Sequence, residues 1–264
     1  LNIVDMPTSF PGRPRKTKLA LIDMLLYCFD AQVKANQPHI QVLQVGAHDG
    51  KMDDPITPYL NKGHWSGVLI EPHPFYFRKL TALHHENSRH HLLNIAVSDE
   101  PGIVTLYHLD EAYHNVAPGW LLGCASLTRD RMEKAIARAN HRQRLSLPQD
   151  ALTSTDVKAK RLDAILAEVG VTEIDLLLID VEGHEIPVMK SFDLISARPK
   201  IAIIECNAGD REAEATIVNM LKAAGLICYK LANDIVAFRE GSLLLPLEAV
   251  FHFEHVPTLT GEME

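Results

Sequence analysis

In this 264-residue chain, carboxylates, glycines and histidines recur directly after short apolar runs. Ile40-Gln-Val-Leu-Gln-Val45 runs into Gly46-Ala-His48-Asp49-Gly50, and Ser66-Gly-Val-Leu-Ile70 runs into Glu71. The run His91–Val97 carries Asn94 and Ala96. Ile174–Ile179 leads into Asp180-Val-Glu182-Gly-His184-Glu185, and Ile201–Ile204 into Glu205-Cys-Asn207. Glycine has no Cβ, so Gly46 allows a ligand to approach the backbone closely. A carboxylate such as Glu71 can accept both hydroxyls of a ribose, and it follows Gly46 at roughly the 20-residue spacing usual for that role. Asp180 offers a negative charge that favours a cation. His184 titrates nearest neutral pH and is a candidate general base; Asp180 can serve instead, and His184 can equally order the loop. Any one of these carboxylates could merely cap the next helix. Their recurrence at five run ends is what points to a site for an adenosyl ligand without a pyrophosphate, since GxGxxG is absent.

The elements that would position them alternate. Strands separated by helical patterns imply parallel βαβ units with right-handed crossovers, and such a sheet binds ligands at the carboxyl ends of its strands. Residues 18–35 have helical periodicity, as do part of Lys51–Asn61, Phe75–His85, Arg161–Val169, Val188–Ile195 and Glu212–Ala224. Ser98–Gly102 reads as a turn before a strand over Ile103–Tyr107. Leu226–Lys230 and Ile235–Arg239 flank Ala232–Asp234 as a closing hairpin. Residues 109–157 break this rhythm with Pro118, Gly119, Trp120, a basic helical piece over 128–144, Pro148 and a Thr/Ser cluster. They read as an insertion across one end of the sheet, covering an acceptor site. Trp120 and Tyr113 would line a pocket or anchor the loop, and the insertion's arginines read as a solvated helix face rather than a steering patch. One domain over 1–264 is expected, with 1–38 as an N-terminal extension and helix; the tail from Gly241 is unassigned.

The formal charge of −8 repels phosphate polymers and anionic lipid, which argues against nucleic-acid and membrane-surface roles. A composition of 47% hydrophobic and 23% charged residues is that of a globular protein rather than a disordered one. Cys28, Cys124, Cys206 and Cys228 lack CxxC spacing and read as buried free thiols in a reducing cytoplasm. Residues 1–18 contain no apolar core of a signal peptide. The chain starts at Leu1, which points to a missing initiator Met or a longer N-terminus. Of the 14 histidines, only His48 and His184 are expected to have a chemical role; the others, including the run His84–His91, read as surface.

Val-Gly-Ala-His-Asp-Gly50, Leu-Ile-Glu-Pro-His-Pro74, Asn-Ile-Ala-Val-Ser-Asp-Glu-Pro-Gly102 and Asp-Leu-Leu-Leu-Ile-Asp-Val-Glu-Gly-His-Glu185 together resemble the FkbM family of S-adenosylmethionine-dependent methyltransferases, from about Val42 to Phe238. His48 stands where the family's first motif commonly has Asn. The resemblance implies the class I methyltransferase fold, α/β and Rossmann-like. Its seven-stranded, mostly parallel sheet has helices on both faces and an antiparallel C-terminal hairpin strand. It implies S-adenosyl-L-methionine as cofactor, held by Gly46, His48, Asp49, Gly50, Glu71, Asn94, Ala96, Ser126 and Asp180. Gly46 and Gly50 would leave room for the methionine portion, Glu71 would bind the ribose, and Asn94 and Ala96 would lie by the adenine. His184, Asp180 and Glu182 would be catalytic. Glu205 and Asn207 stand where some small-molecule O-methyltransferases place metal ligands, and with Asp180 they could form an oxygen site for Mg²⁺; the three need not converge, and no metal is expected. The implied reaction is O-methylation of a sugar or secondary metabolite, with a small molecule or glycan as acceptor and self-association left open. The rival readings are a nicotinamide-dependent oxidoreductase and a cofactor-binding protein without turnover.

Overall fold

Strand β1 (Ile40–Val45) shows why the sheet must be covered on both faces. Ile40 and Val42 are buried toward one side, and Leu43 and Val45 toward the other. The structure, a computed structural model, describes residues 17–36, 39–206 and 210–242. Before β1 lies helix α1 (Thr17–Asn36), which buries Leu21, Ile22, Leu25, Leu26 and Phe29 against the first face. After β1 come α2 (Thr57–Leu60), β2 (Trp65–Ile70), α3 (Pro74–His84) and β3 (His90–Leu93). The chain then forms β4 (Ala96–Val97) and β5 (Gly102–Leu109), an excursion with helices α4 (Gly119–Leu122) and α5 (Arg129–Gln143), and β6 (Leu152–Lys160). It returns through α6 (Leu162–Val169), β7 (Leu176–Ile179), α7 (Glu185–Lys190), α8 (Leu194–Ala197) and β8 (Ile201–Glu205). Helix α9 (Arg211–Ala223) and strands β9 (Leu226–Leu231) and β10 (Asp234–Arg239) complete the described part.

The main sheet has seven strands in the order β3-β2-β1-β7-β8-β10-β9. Pairs among β3, β2, β1, β7 and β8 are parallel, and β10 runs antiparallel between β8 and β9. This is the class I methyltransferase sheet that the resemblance implied. Helices α6 to α9 cover the second face, where Leu162, Ile165, Val188, Ile217 and Leu221 pack on Leu43, Leu177 and Ile204. Side chains with no residual exposure, such as Leu43 and Leu177, each contribute about 1.5–3 kcal/mol by leaving water.

Three expectations change. The run His91–Val97 is two strands, because Asn94 interrupts it: its Nδ2 donates to the carbonyls of Glu71 (2.8 Å) and Pro72 (3.0 Å). Ala96–Val97 then joins a second, three-stranded sheet in the order β4-β6-β5. The Thr/Ser cluster at the end of the expected insertion is strand β6, paired with β5 from Gly102↔Ala159 to Leu109↔Leu152. Its polar alternation reflects one solvated face, and the excursion proper spans 110–151. The expected helix 188–195 is two short helices, split where Asp193 caps α8 by accepting from the N–H groups of Ile195 and Ser196. Asn207 and the tail from residue 243 lie outside the described residues. Among the described residues, no helix is long and apolar enough to cross a membrane.

Candidate active site

The carboxyl ends of β1, β2, β7 and β8 open onto one cavity of about 610 Å³. That lies inside the range of roughly 300–1,000 Å³ usual for small-molecule sites. Strand alternation explains its lining. Gln44, Leu178 and Ile203 share one face of the sheet, and one further step of two residues brings Asp180 and Glu205 onto that face beyond the apolar layer. Because β10 is antiparallel, its first residue, Asp234, sits at the same edge, in register with Glu205.

Asp180, Glu182 and Glu205 each contribute an oxygen, and these oxygens lie within 4.8 Å of one another. Asp180 is surrounded by protein, yet its carboxylate faces the cavity, so it is enclosed and still reachable. Burial, then the neighbouring charges of Glu205 and Glu182, raise the Asp180 carboxyl well above its ordinary range. Burial, then Glu182, push Glu205 up to about 7. Its Oε2 is buried without a hydrogen-bond partner among the described residues. Crowded acids that retain protons to limit their repulsion are a ready counter-site for a cation. Asp180 and Glu205, weighed as metal ligands with Asn207, do come together, with Glu182 as the third oxygen.

Glu71 is 5% exposed, and its carboxylate lies on the cavity wall. Oε2 accepts from the His48 N–H (2.8 Å) and Oε1 from the His73 N–H (2.7 Å). Burial raises its pKa against the pull of these two donors. Each oxygen keeps a second lone pair for a ligand hydroxyl. His48 and Ala96 also line the cavity. The His48 ring packs on Tyr76 with centroids 3.7 Å apart, and its backbone is left-handed (φ 47°).

Gly46 lines the cavity, but its glycine is required for another reason. A Cβ there would lie 1.8 Å from the Asp180 carbonyl oxygen, at φ 89°. Four expected cofactor contacts fall outside the cavity wall. A Cβ on Gly50 would meet Leu80 and Leu83 at 2.9 Å, so this glycine makes room for α3. Asp49 turns back on its own loop and accepts from the N–H groups of Lys51 and Met52 (both 2.9 Å). Neighbouring His48 and these bonds hold its carboxyl well below the usual range. Asn94 braces the carbonyls after β2. Ser126 is buried, and its Oγ donates to the Glu182 carbonyl (2.9 Å), tying the excursion to the loop after β7.

That loop is held in an uncommon shape. Glu182 and Gly183 are both left-handed (φ 53° and 102°), and the Glu185 Oε1 accepts from the Gly183 N–H (2.9 Å). His184 is thereby brought to the cavity wall. Its Nε2 lies 3.1 Å from Ser98 Oγ, which donates its only proton to Asp99 Oδ1 (3.3 Å). With Nε2 engaged by Ser98, Nδ1 is the ring nitrogen left for a ligand. Burial lowers the His184 pKa, so the ring is neutral at pH 7.

The excursion supplies the remaining wall, including Trp120, Cys124 and Arg138. Tyr113 is not on the wall; its hydroxyl reaches Asp150 at 3.5 Å. Gln44 and Asp234 line the cavity without having stood out in sequence, and Asp53 and Asp54, which the sequence places with His48 as possible pocket residues, line it as well. The signal for Gln44 was a polar residue at an inward position of an apolar strand. All four cysteines are buried free thiols. The histidines expected on the surface divide. His73, His84, His90 and His108 are buried, while His85 and His91 are exposed. His73 caps α3 by accepting from the Phe75 N–H (3.2 Å), and burial, then nearby His108 and His114, push it down to about 3.

The methyltransferase FkbM domain model matches residues 44–228. No curated protein matches the chain. Among solved structures, methyltransferase FkbM from Methylobacillus flagellatus KT is similar at 10% identity and a TM-score of 0.43, covering 76% of this chain and 44% of that one. This chain thus spans less than half of that protein's length. The METTL16 methyltransferase domain is similar at 10% identity and a TM-score of 0.44, covering 88% and 70%. Precorrin-6y C5,15-methyltransferase from Geobacter metallireducens GS-15 is similar at 11% identity and a TM-score of 0.36, covering 91% and 97%. The domain match runs from Gln44 of β1 to Cys228 of β9 and takes in every residue singled out at the strand ends except Asp234, so the chain belongs to the FkbM methyltransferase family.

Proposed function

We propose that this chain binds S-adenosylmethionine in the strand-end cavity and methylates a hydroxyl oxygen of a sugar or secondary metabolite. The observation that carries the reading is one cavity with a ribose-ready carboxylate at Glu71 and a crowded acidic wall at Asp180 and Glu205. The ligand's ammonium and sulfonium charges suit that wall, whereas a dinucleotide's pyrophosphate would be repelled by it. The nicotinamide alternative loses on that count as well as on its missing glycine fingerprint.

When bound, the cofactor supplies an electrophilic methyl group with a neutral thioether as leaving group. Glu71 holds the ribose, and Asp180 with Glu205 holds the cationic end. Neutral His184 takes the acceptor hydroxyl proton at Nδ1 while Ser98 fixes the ring from Nε2. The methyl–sulfur bond breaks as the methyl–oxygen bond forms, and the products are a methyl ether and S-adenosylhomocysteine. A cytoplasmic setting fits the four free thiols.

Calorimetry with S-adenosylmethionine and with NAD tests the reading: binding of the first and not the second is expected, and the reverse would sink it. Once an acceptor is in hand, His184→Asn should lower kcat by about 100-fold or more while leaving cofactor affinity in place.

A further inference from the structure

The two walls of the cavity differ in character. The strand ends contribute Asp180, Glu182, Glu205 and Asp234, whereas the excursion contributes Trp120 and Arg138. Arg138 is the one Lys or Arg among the described residues that lines the cavity. Its guanidinium carbon sits over the Trp120 ring, 4.4 Å from the centroid. Other basic residues of α5 are matched to carboxylates: Arg129 with Glu133, Lys134 with Asp130, and Arg131 with Glu182. Among the described residues, Arg138 has neither an ion pair nor a hydrogen-bond partner. Stacking engages the face of a guanidinium and leaves its in-plane N–H groups free to donate. The result is an exposed, unpaired cation stacked on an indole at the wall of an otherwise acidic cavity.

We propose that Arg138 and Trp120 form an acceptor subsite for an anionic group. The acceptor would then be a hydroxylated molecule that also carries a carboxylate or a phosphate ester. This rests on the methyl-transfer reading above and narrows its substrate class. The acidic strand ends repel an anion, so Arg138 is the position on the wall where one is tolerated. A planar guanidinium can hold a carboxylate or phosphate through two parallel hydrogen bonds, which fixes orientation as well as position. Anchoring one end of the acceptor there restricts where its hydroxyl lies relative to His184, the form of assistance an alkyl transfer needs most. The indole, which also lines the cavity, adds apolar surface next to the guanidinium.

The test uses the full chain loaded with S-adenosylhomocysteine and matched ligand pairs. Glucuronate and glucose 6-phosphate are each compared with glucose, and 3,4-dihydroxybenzoate with catechol, all by calorimetry. At least one anionic member should bind tenfold or more tightly than its neutral counterpart. The pair that shows the preference tells carboxylate from phosphate. Arg138→Gln should abolish the preference, and Arg138→Lys should retain part of it for a phosphate. S-adenosylhomocysteine affinity, measured on each variant, reports that the fold and cofactor site are intact. The proposal is overturned if neutral members bind as tightly, if the preference survives Arg138→Gln, or if no anionic member binds protein that holds S-adenosylhomocysteine. Failure to bind S-adenosylhomocysteine at all would instead remove the methyl-transfer reading, so the two failures are distinguishable.

Discussion

Arg131 on α5 donates through both Nε (3.2 Å) and Nη2 to the same Glu182 oxygen, joining the excursion to the loop that follows β7. Ser126 Oγ meets the Glu182 carbonyl from the same side. Both partners of the ion pair are mostly buried, so the pair lies between the surface and interior limits of such interactions. Arg131→Ala should cost about 1–3 kcal/mol, because it leaves the Glu182 charge next to Asp180 and Glu205 without its counter-ion. The expected result is a lower Tm together with weaker S-adenosylmethionine binding. Arg131→Lys, which keeps the charge and loses the two-donor geometry, should fall between. If Arg131→Ala changes neither quantity, the excursion is not held by this clasp.

The strand ends are legible because buried parallel strands are largely apolar, so a carboxylate at the end of an apolar run marks the ligand edge. Glu71, Asp180 and Glu205 stood out this way. Strand β6 did not, because Leu152–Lys160 has a solvated face and reads like a polar linker until β5 is placed beside it. Gly50 and Gly46 look alike in sequence, yet one accommodates helix α3 and the other the Asp180 peptide. Local pattern cannot tell a glycine that admits a ligand from one that admits a neighbouring strand. Arg138 was hidden among five other basic residues between 129 and 144, since only the fold decides which of them turns to the cavity.

Glu71 carries a prediction that separates ribose binding from general support. Glu71→Ala should weaken S-adenosylhomocysteine binding at least tenfold, about 1.4 kcal/mol. The variant also strips an acceptor from the His48 and His73 N–H groups, so its Tm should fall as well. Comparing adenosine with adenine isolates the first effect. Adenosine, with its diol, should lose affinity, and adenine should not. Equal affinity for S-adenosylhomocysteine in a folded Glu71→Ala protein would refute the ribose role.

Cofactor affinity should depend on pH in a direction set by Asp180 and Glu205. Both carboxyls are raised, so near neutral pH the empty pair retains a proton that a cationic ligand must displace. Affinity therefore rises with pH through the raised range and weakens as pH falls toward 6. The window is best kept below about pH 7.5, where an α-amino group stays mostly protonated. Buried histidines with lowered pKa values, such as His73 and His90, make folding weaken in the same pH direction. Their protonation destabilises the fold as pH drops below the unfolded value, so whole-protein Tm is a poor readout. Calorimetry in buffers of different ionisation heat should detect proton release on binding at pH 6.5. No proton release and a flat Kd between pH 6 and 7.5 would contradict a shared proton on the pair.

Gly46 tests the fold rather than the ligand. Its ideal Cβ would sit 1.8 Å from the Asp180 carbonyl oxygen and 2.8 Å from the carbonyl carbon, both rigid backbone atoms at the join of β1 and β7. Its φ of 89° adds strain for any L side chain. Gly46→Ala must therefore push the two central strand ends apart, at a cost of roughly 3 kcal/mol or more, the size associated with overpacking a tight core. Gly170→Ala serves as the control, because that glycine is also left-handed (φ 72°) but has open space where a Cβ would go. It carries only the backbone penalty of about 1 kcal/mol. Thermal unfolding should rank Gly46→Ala far below Gly170→Ala. Similar losses in the two variants would mean that β1 and β7 can separate cheaply, and that Gly46 is required only for its backbone angle.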